Sequence, residues 1–152
     1  MPPAAHHFSP AQLSNLAATI KHAGQALGFA ELRITDIDLA AAELELQAWL
    51  AAGFHGQMDY MASHGVKRAR PAELVPGTVR VISARMDYLP QATPATWRET
   101  EQARLQQPHM AQVALYARGR DYHKVLRQRL AQLVEQIEAQ IGPFGHRVFT
   151  DS

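Results

Sequence analysis

The chain of 152 residues contains no cysteine. That absence removes disulfides, thiolate zinc sites, thiol nucleophiles and cysteine-ligated iron–sulfur clusters from its own chemistry, and it is compatible with a cytoplasmic location. No apolar run approaches the roughly 18 residues that a membrane span needs. The start, Met1-Pro2-Pro3-Ala4-Ala5-His6-His7, lacks the basic and apolar regions of a secretory signal. Both glycine-rich nucleotide fingerprints are missing, as are the H-E-x-x-H metal motif and the G-x-S-x-G nucleophile turn. The eight histidines are scattered without ligand spacing. Hydrophobic residues make up 47% and charged residues 19% of the chain, which excludes a disordered tail, a collagen repeat and a coiled-coil rod. A single globular piece remains.

The net charge of +1 conceals a segregation. Residues 1–60 sum to −4, residues 61–129 to +7 and residues 130–152 to −2. Two clusters make the excess: Lys67-Arg68-Ala69-Arg70, and Arg118, Arg120, Lys124, Arg127 and Arg129. A cationic middle suits a phosphate-bearing partner, either nucleic acid or a phosphorylated cofactor. Solvated helix faces with ordinary loop charges explain the same composition.

Ser9-Pro10 opens a helix with a favoured cap and a proline at its first position. Leu13, Leu16, Ile20, Ala23 and Leu27 then form a stripe that Gly28 ends. Alternation around Leu32 and Ile34 predicts a strand. Asp38 is placed to cap a second helix with Leu39, Leu46, Trp49 and Leu50, and one or two helical turns follow over 58–64. Beyond the basic loop 65–71, Thr78 to Met86 predicts the clearest strand. Residues 90–109 read as a mobile excursion with a short helix. Gln112–Tyr116 and Arg147–Thr150 read as two further strands. Between these two, Asp121 caps the longest helix, whose Leu126, Leu130, Leu133 and Ile137 are expected to pack on the sheet, with Gly142-Pro143 as its stop. This order predicts an α/β fold, a central β-sheet flanked by helices. Residues 1–10 are expected to be flexible and 11–152 to form one incomplete domain.

Chemistry concentrates in Tyr116-Ala117-Arg118-Gly119-Arg120-Asp121-Tyr122-His123-Lys124. A helix start offers unpaired N–H groups and partial positive charge, to which Arg118, Arg120 and Lys124 add full charges. The segment suits a phosphate or a polar cofactor edge; a capped helix with Tyr122 packed in the core fits it equally. Asp151 follows the last predicted strand, and ligand crevices in open α/β sheets lie beyond strand ends.

The blocks Gly65-Val66-Lys67-Arg68-Ala69-Arg70-Pro71, Leu74-Val75-Pro76-Gly77-Thr78, Val81-Ile82-Ser83, Tyr116 to His123 and Phe149-Thr150-Asp151-Ser152 share the order and spacing of one family. Leu27-Gly28-Phe29, Ile34-Thr35-Asp36, Trp49-Leu50 and His55-Gly56-Gln57-Met58-Asp59 extend the match from about Ala11 to the end. The chain resembles the N-terminal part of tRNA epoxyqueuosine reductase. The resemblance implies part of a cobalamin-binding reductase domain that reduces epoxyqueuosine to queuosine at the wobble position of tRNA. It also implies a longer chain whose missing portion carries iron–sulfur clusters, so the fragment alone is expected to be inactive. Implied partners are tRNA carrying epoxyqueuosine and an external electron donor, with a monomeric cytoplasmic enzyme and no membrane.

By the same resemblance Asp151 is the proton donor beside the cobalt face, and Arg68 contacts the corrinoid. Ala114 meets the corrinoid through its main chain, and Tyr122 and His123 face the cofactor and substrate pocket. Arg118, Arg120 and Lys124 are expected to serve the tRNA substrate. Leu115 replaces a basic residue of many relatives, so a side-chain contact made there is in doubt. Two other classes compete: a non-catalytic α/β module for RNA or a phosphorylated ligand, and a corrinoid reductase acting on another substrate such as an organohalide.

Overall fold

The computed structural model describes residues 8–90 and 92–150. Helix α1 (Pro10–Ala26) starts at a reciprocal cap. The Ser9 hydroxyl accepts from the Gln12 N–H, and the Gln12 side chain accepts from the Ser9 N–H at 2.8 Å. Its stripe turns inward progressively: Leu13 is exposed, Leu16 half-buried and Ile20 buried. The end of α1 needs Gly28, whose φ of 85° lies where side chains clash with the following carbonyl.

Strand β1 (Glu31–Thr35) pairs with β2 (Val81–Arg85). The Ala30 N–H donates to the Arg85 carbonyl at 2.8 Å, so the start of β1 lies beside the end of β2 and the pair is antiparallel. Between them come α2 (Ala40–Ala51), α3 (Tyr60–Ser63), a 3-10 turn (Gly65–Arg68) and α4 (Pro71–Leu74). After β2 follow α5 (Trp97–Leu105), a second 3-10 turn (Leu115–Ala117) and α6 (Tyr122–Ile141). Asp38 accepts from the Ala40 N–H at 3.1 Å, although α2 itself begins after Leu39. Asp121 caps α6 as the sequence predicts, accepting from the His123 N–H.

The fold is mixed α/β, but its sheet is smaller than the sequence suggests. Among the described residues two strands form, not four. Over 112–116 the chain closes a 3-10 turn: the Ala117 N–H donates to the Ala114 carbonyl at 2.9 Å, and the Gln112 side chain donates to the Arg104 carbonyl. Segment 147–150 has no strand geometry, and Phe149 stays 48% exposed. Short alternating runs become strands only where a neighbour pairs with them. Nor does α6 rest on a broad sheet; its principal neighbour is α1.

Two compact units divide these elements. One holds Arg33–Ser83 with Pro143–Arg147, and therefore α2 to α4. The other holds residues 8–32, Ala84–Gly142 and residues 148–150, and therefore α1, α5 and α6. The second unit contains most of the buried apolar residues: Ile20, Phe29, Leu32, Leu133 and Ile137. Leu126 and Leu130 are half-buried on the same helix face as Leu133. Arg129 closes this packing, with Nη1 3.0 Å from the Met86 sulfur and 3.4 Å from the Gly28 carbonyl oxygen.

Candidate functional site

In the first unit the basic stretch 67–70 is folded into the 3-10 turn and the approach to α4. Proline at the first position of α4 fits the turn that Arg70 makes there. Arg70 is fully engaged. Its Nε and Nη2 donate to Glu43 at 3.0 and 2.9 Å, and its Nη1 donates to Glu73 at 2.9 Å. The hydrogen bonds from Arg70 hold the Glu43 carboxyl below the usual carboxylate range. Together they line a shallow cleft of about 290 Å³ with Ile37, Asp38 and Leu39. Arg68 differs. Its Nη2 donates to the Tyr60 carbonyl at 2.7 Å and its guanidinium lies 5.7 Å from the Tyr60 ring centre. Its Nε is buried with no hydrogen-bond partner among the described residues. An orphaned donor of this kind costs free energy unless a ligand or an ordered water supplies the acceptor. The His55 Nδ1, on a ring tilted against Trp49, is orphaned in the same way.

The second unit carries the aromatic and cationic segment. Ala114 is exposed and sits just before the second 3-10 turn, so the expected strand position is a turn entrance. Beyond it three rings line up. Tyr116 meets Tyr122 edge-on with centres 5.9 Å apart, and Tyr122 stacks on His123 at 4.0 Å. The His123 Nδ1 lies 3.1 Å from the Asp121 carboxylate, which also takes the His123 N–H. Partial burial pushes the Asp121 carboxyl up, and these bonds outweigh it, leaving the group below its ordinary value. Lys124 is 84% exposed and 4.0 Å from Asp121, and Arg120 is exposed. Arg118 is bound internally. Its Nη1 and Nη2 grip both oxygens of Glu101 at 2.9 and 2.6 Å, and its Nε donates to the Val113 carbonyl at 2.8 Å.

Asp151 lies outside the described residues. The residue before it does not: Thr150 is buried, and its hydroxyl accepts from the Arg127 Nε of α6 at 3.0 Å. Sequence reasoning missed Glu101, Glu43 and Arg127 as partners, because no spacing rule links residues 17, 27 or 23 positions apart. Among the described residues, no group of three His, Asp or Glu side chains could hold a metal ion. Nor is any described helix long and apolar enough to cross a membrane.

These features define a mixed α/β protein with half-buried and paired guanidinium groups in one unit and a row of aromatic rings in the other. A family profile described as Epoxyqueuosine reductase QueG, DUF1730 matches residues 68–152. Three curated relatives carry the name epoxyqueuosine reductase. The protein of Alicycliphilus denitrificans is 59% identical over 91% of this chain and 39% of its own length. That of Burkholderia pseudomallei is 60% identical over 93% of this chain and 37% of its own. That of Pseudomonas aeruginosa is 54% identical over 99% and 40%. No solved structure matches the chain significantly. The chain belongs to the epoxyqueuosine reductase family, and it spans about two fifths of the length of the curated relatives it matches.

Proposed function

We propose that this chain is part of a cobalamin-dependent reductase that converts epoxyqueuosine to queuosine in tRNA. The structural observation that carries the reading is the orphaned Nε of Arg68, at the position where the family resemblance implies a corrinoid contact. Amide carbonyl or phosphate oxygens on a corrinoid rim suit a guanidinium donor, and the Arg68 side chain would turn from Tyr60 to bring its Nε to one. Ala114 would add main-chain contact, and Tyr122 and His123 would offer one ring face and hydrogen-bonding edge to the cofactor and substrate. When bound, cobalamin supplies the reducing electrons for opening the epoxide. Asp151 holds the proton that the leaving oxygen requires, since losing that oxygen as water consumes two electrons and two protons. Arg120 and Lys124, both exposed, are assigned to tRNA phosphates. Arg118, the third cation expected to serve the tRNA, has both Nη groups on Glu101, so its charge is answered within the fold. Iron–sulfur clusters need ligands that a cysteine-free chain lacks, so they and the docking of an external electron donor are assigned to the rest of the full-length protein.

Single-turnover reduction of epoxyqueuosine tRNA by chemically reduced full-length enzyme tests the reading, because it bypasses electron delivery. Asp151→Asn should retain cobalamin and lose roughly 10²- to 10⁴-fold in rate, the usual contribution of a positioned acid. A near-wild-type rate for that variant removes Asp151 from the chemistry.

A further inference from the structure

We propose that Glu101 is a positioning residue: through its bidentate bridge to Arg118 it holds the turn that presents Tyr122 and His123. The inference rests on the reading above, in which those rings face the cofactor and substrate. Arg118 lies within the segment between Tyr116 and Tyr122, the two rings that meet edge-on. Within that segment the 3-10 turn ends with the Arg118 N–H on the Leu115 carbonyl at 3.2 Å, Gly119 adopts φ 94°, Tyr116 is 55% exposed, and residues 119–121 belong to no helix or strand.

Apolar packing does not hold the other end of the bridge either. Helix α5 has no buried residue, and Leu105, Met110 and Val113 are 69%, 61% and 55% exposed. Polar contacts replace packing. Both Glu101 oxygens take Arg118, one of them also takes Arg104 at 2.7 Å, and the Arg104 carbonyl takes the Gln112 side chain at 3.1 Å. The Glu101 side chain is only 20% exposed, so water competes weakly for its oxygens. A planar two-bond grip fixes direction as well as distance, which a single ammonium could not do. Residues 101–118 therefore form one polar brace closed by this pair, and the ring stack begins at its edge.

Two measurements on the full-length protein test this. Hydrogen exchange in the cofactor-free protein is compared for wild type, Glu101→Gln and Arg118→Lys. Each variant should lose protection over 116–123 while the amides of α1 and the centre of α6 keep theirs; unchanged protection at 116–123 overturns the proposal. Cobalamin is then titrated by its visible absorption, well below the melting temperature of every variant. Each single variant should bind about 2- to 30-fold more weakly, the range for residues that act through another. The double variant should be no weaker than the singles, because one interaction is lost only once. Wild-type affinity in variants that merely melt earlier, or fully additive losses, would show that Glu101 stabilises without positioning. Should wild type itself bind no cobalamin, the cofactor reading fails, and the exchange comparison still decides the role of Glu101.

Discussion

Arg68 and Arg70 stand two residues apart in one basic stretch, yet their surroundings differ. Arg70 has three bonds to two carboxylates, so its charge is answered within the fold. Among the described residues Arg68 has one bond to a carbonyl, one ring beneath it and an Nε with no acceptor. In the full-length protein Arg68→Lys should therefore weaken cobalamin binding with little change in melting temperature, whereas Arg70→Gln should do the reverse. Equal effects of the two on cobalamin titration would contradict the assignment. The carboxylates also set a pH dependence. Glu43, Glu101 and Asp121 all have folded-state values below their ordinary ones, held there mainly by bonds from Arg70, Arg118 and His123. Each contribution is full above the unfolded carboxylate range near pH 4 and is lost as pH falls through the lowered folded value. Urea midpoints measured from pH 6 down to pH 3 should fall, and Glu101→Gln should flatten part of that fall. Gly28 is a further single-residue constraint. With φ at 85°, Gly28→Ala should cost about 1–2 kcal/mol in urea unfolding.

At the scale of elements, α1 and α6 form the packed pair on which the second unit depends. Leu133 is 2% exposed, so Leu133→Ala should cost about 2–5 kcal/mol. Leu130 is only half-buried, and its truncation should cost less in the same denaturation series. The α1 cap predicts a smaller effect: Ser9→Ala removes one side of a reciprocal pair and should cost about 1 kcal/mol. Both long helices were legible because their signals are local. Ser9-Pro10, Asp121, Gly28 and Gly142 mark ends, and the 3.6-residue stripe marks the faces. The strands at 112–116 and 147–150 failed for the opposite reason. A strand is completed by a partner, and alternation within five residues says nothing about whether a partner arrives. Helix α5 was partly legible as a short helix in a polar excursion, although the bridge that ties it to Arg118 was not.

Over the whole molecule the charge segregation has a functional reading in the proposed tRNA complex. Arg120 and Lys124 are exposed at the start of α6, where each would neutralise a phosphate and release its counterion. Arg120→Ala and Lys124→Ala in the full-length protein should each weaken tRNA binding and lower the slope of log affinity against log salt by about one. Unchanged slopes would place the tRNA elsewhere. By itself, the sequence determined the mixed α/β class, both long helices with their caps, the two strands that pair, and the family. Those are properties of short-range pattern and motif order, which survive without coordinates. Only the tertiary structure decided which cations are answered and which are not. Glu101 reaching Arg118 and Glu43 reaching Arg70 depend on side chains distant in sequence meeting at about 3 Å. Electrostatic identity at that range belongs to the partner as much as to the residue, and partners are chosen by the fold.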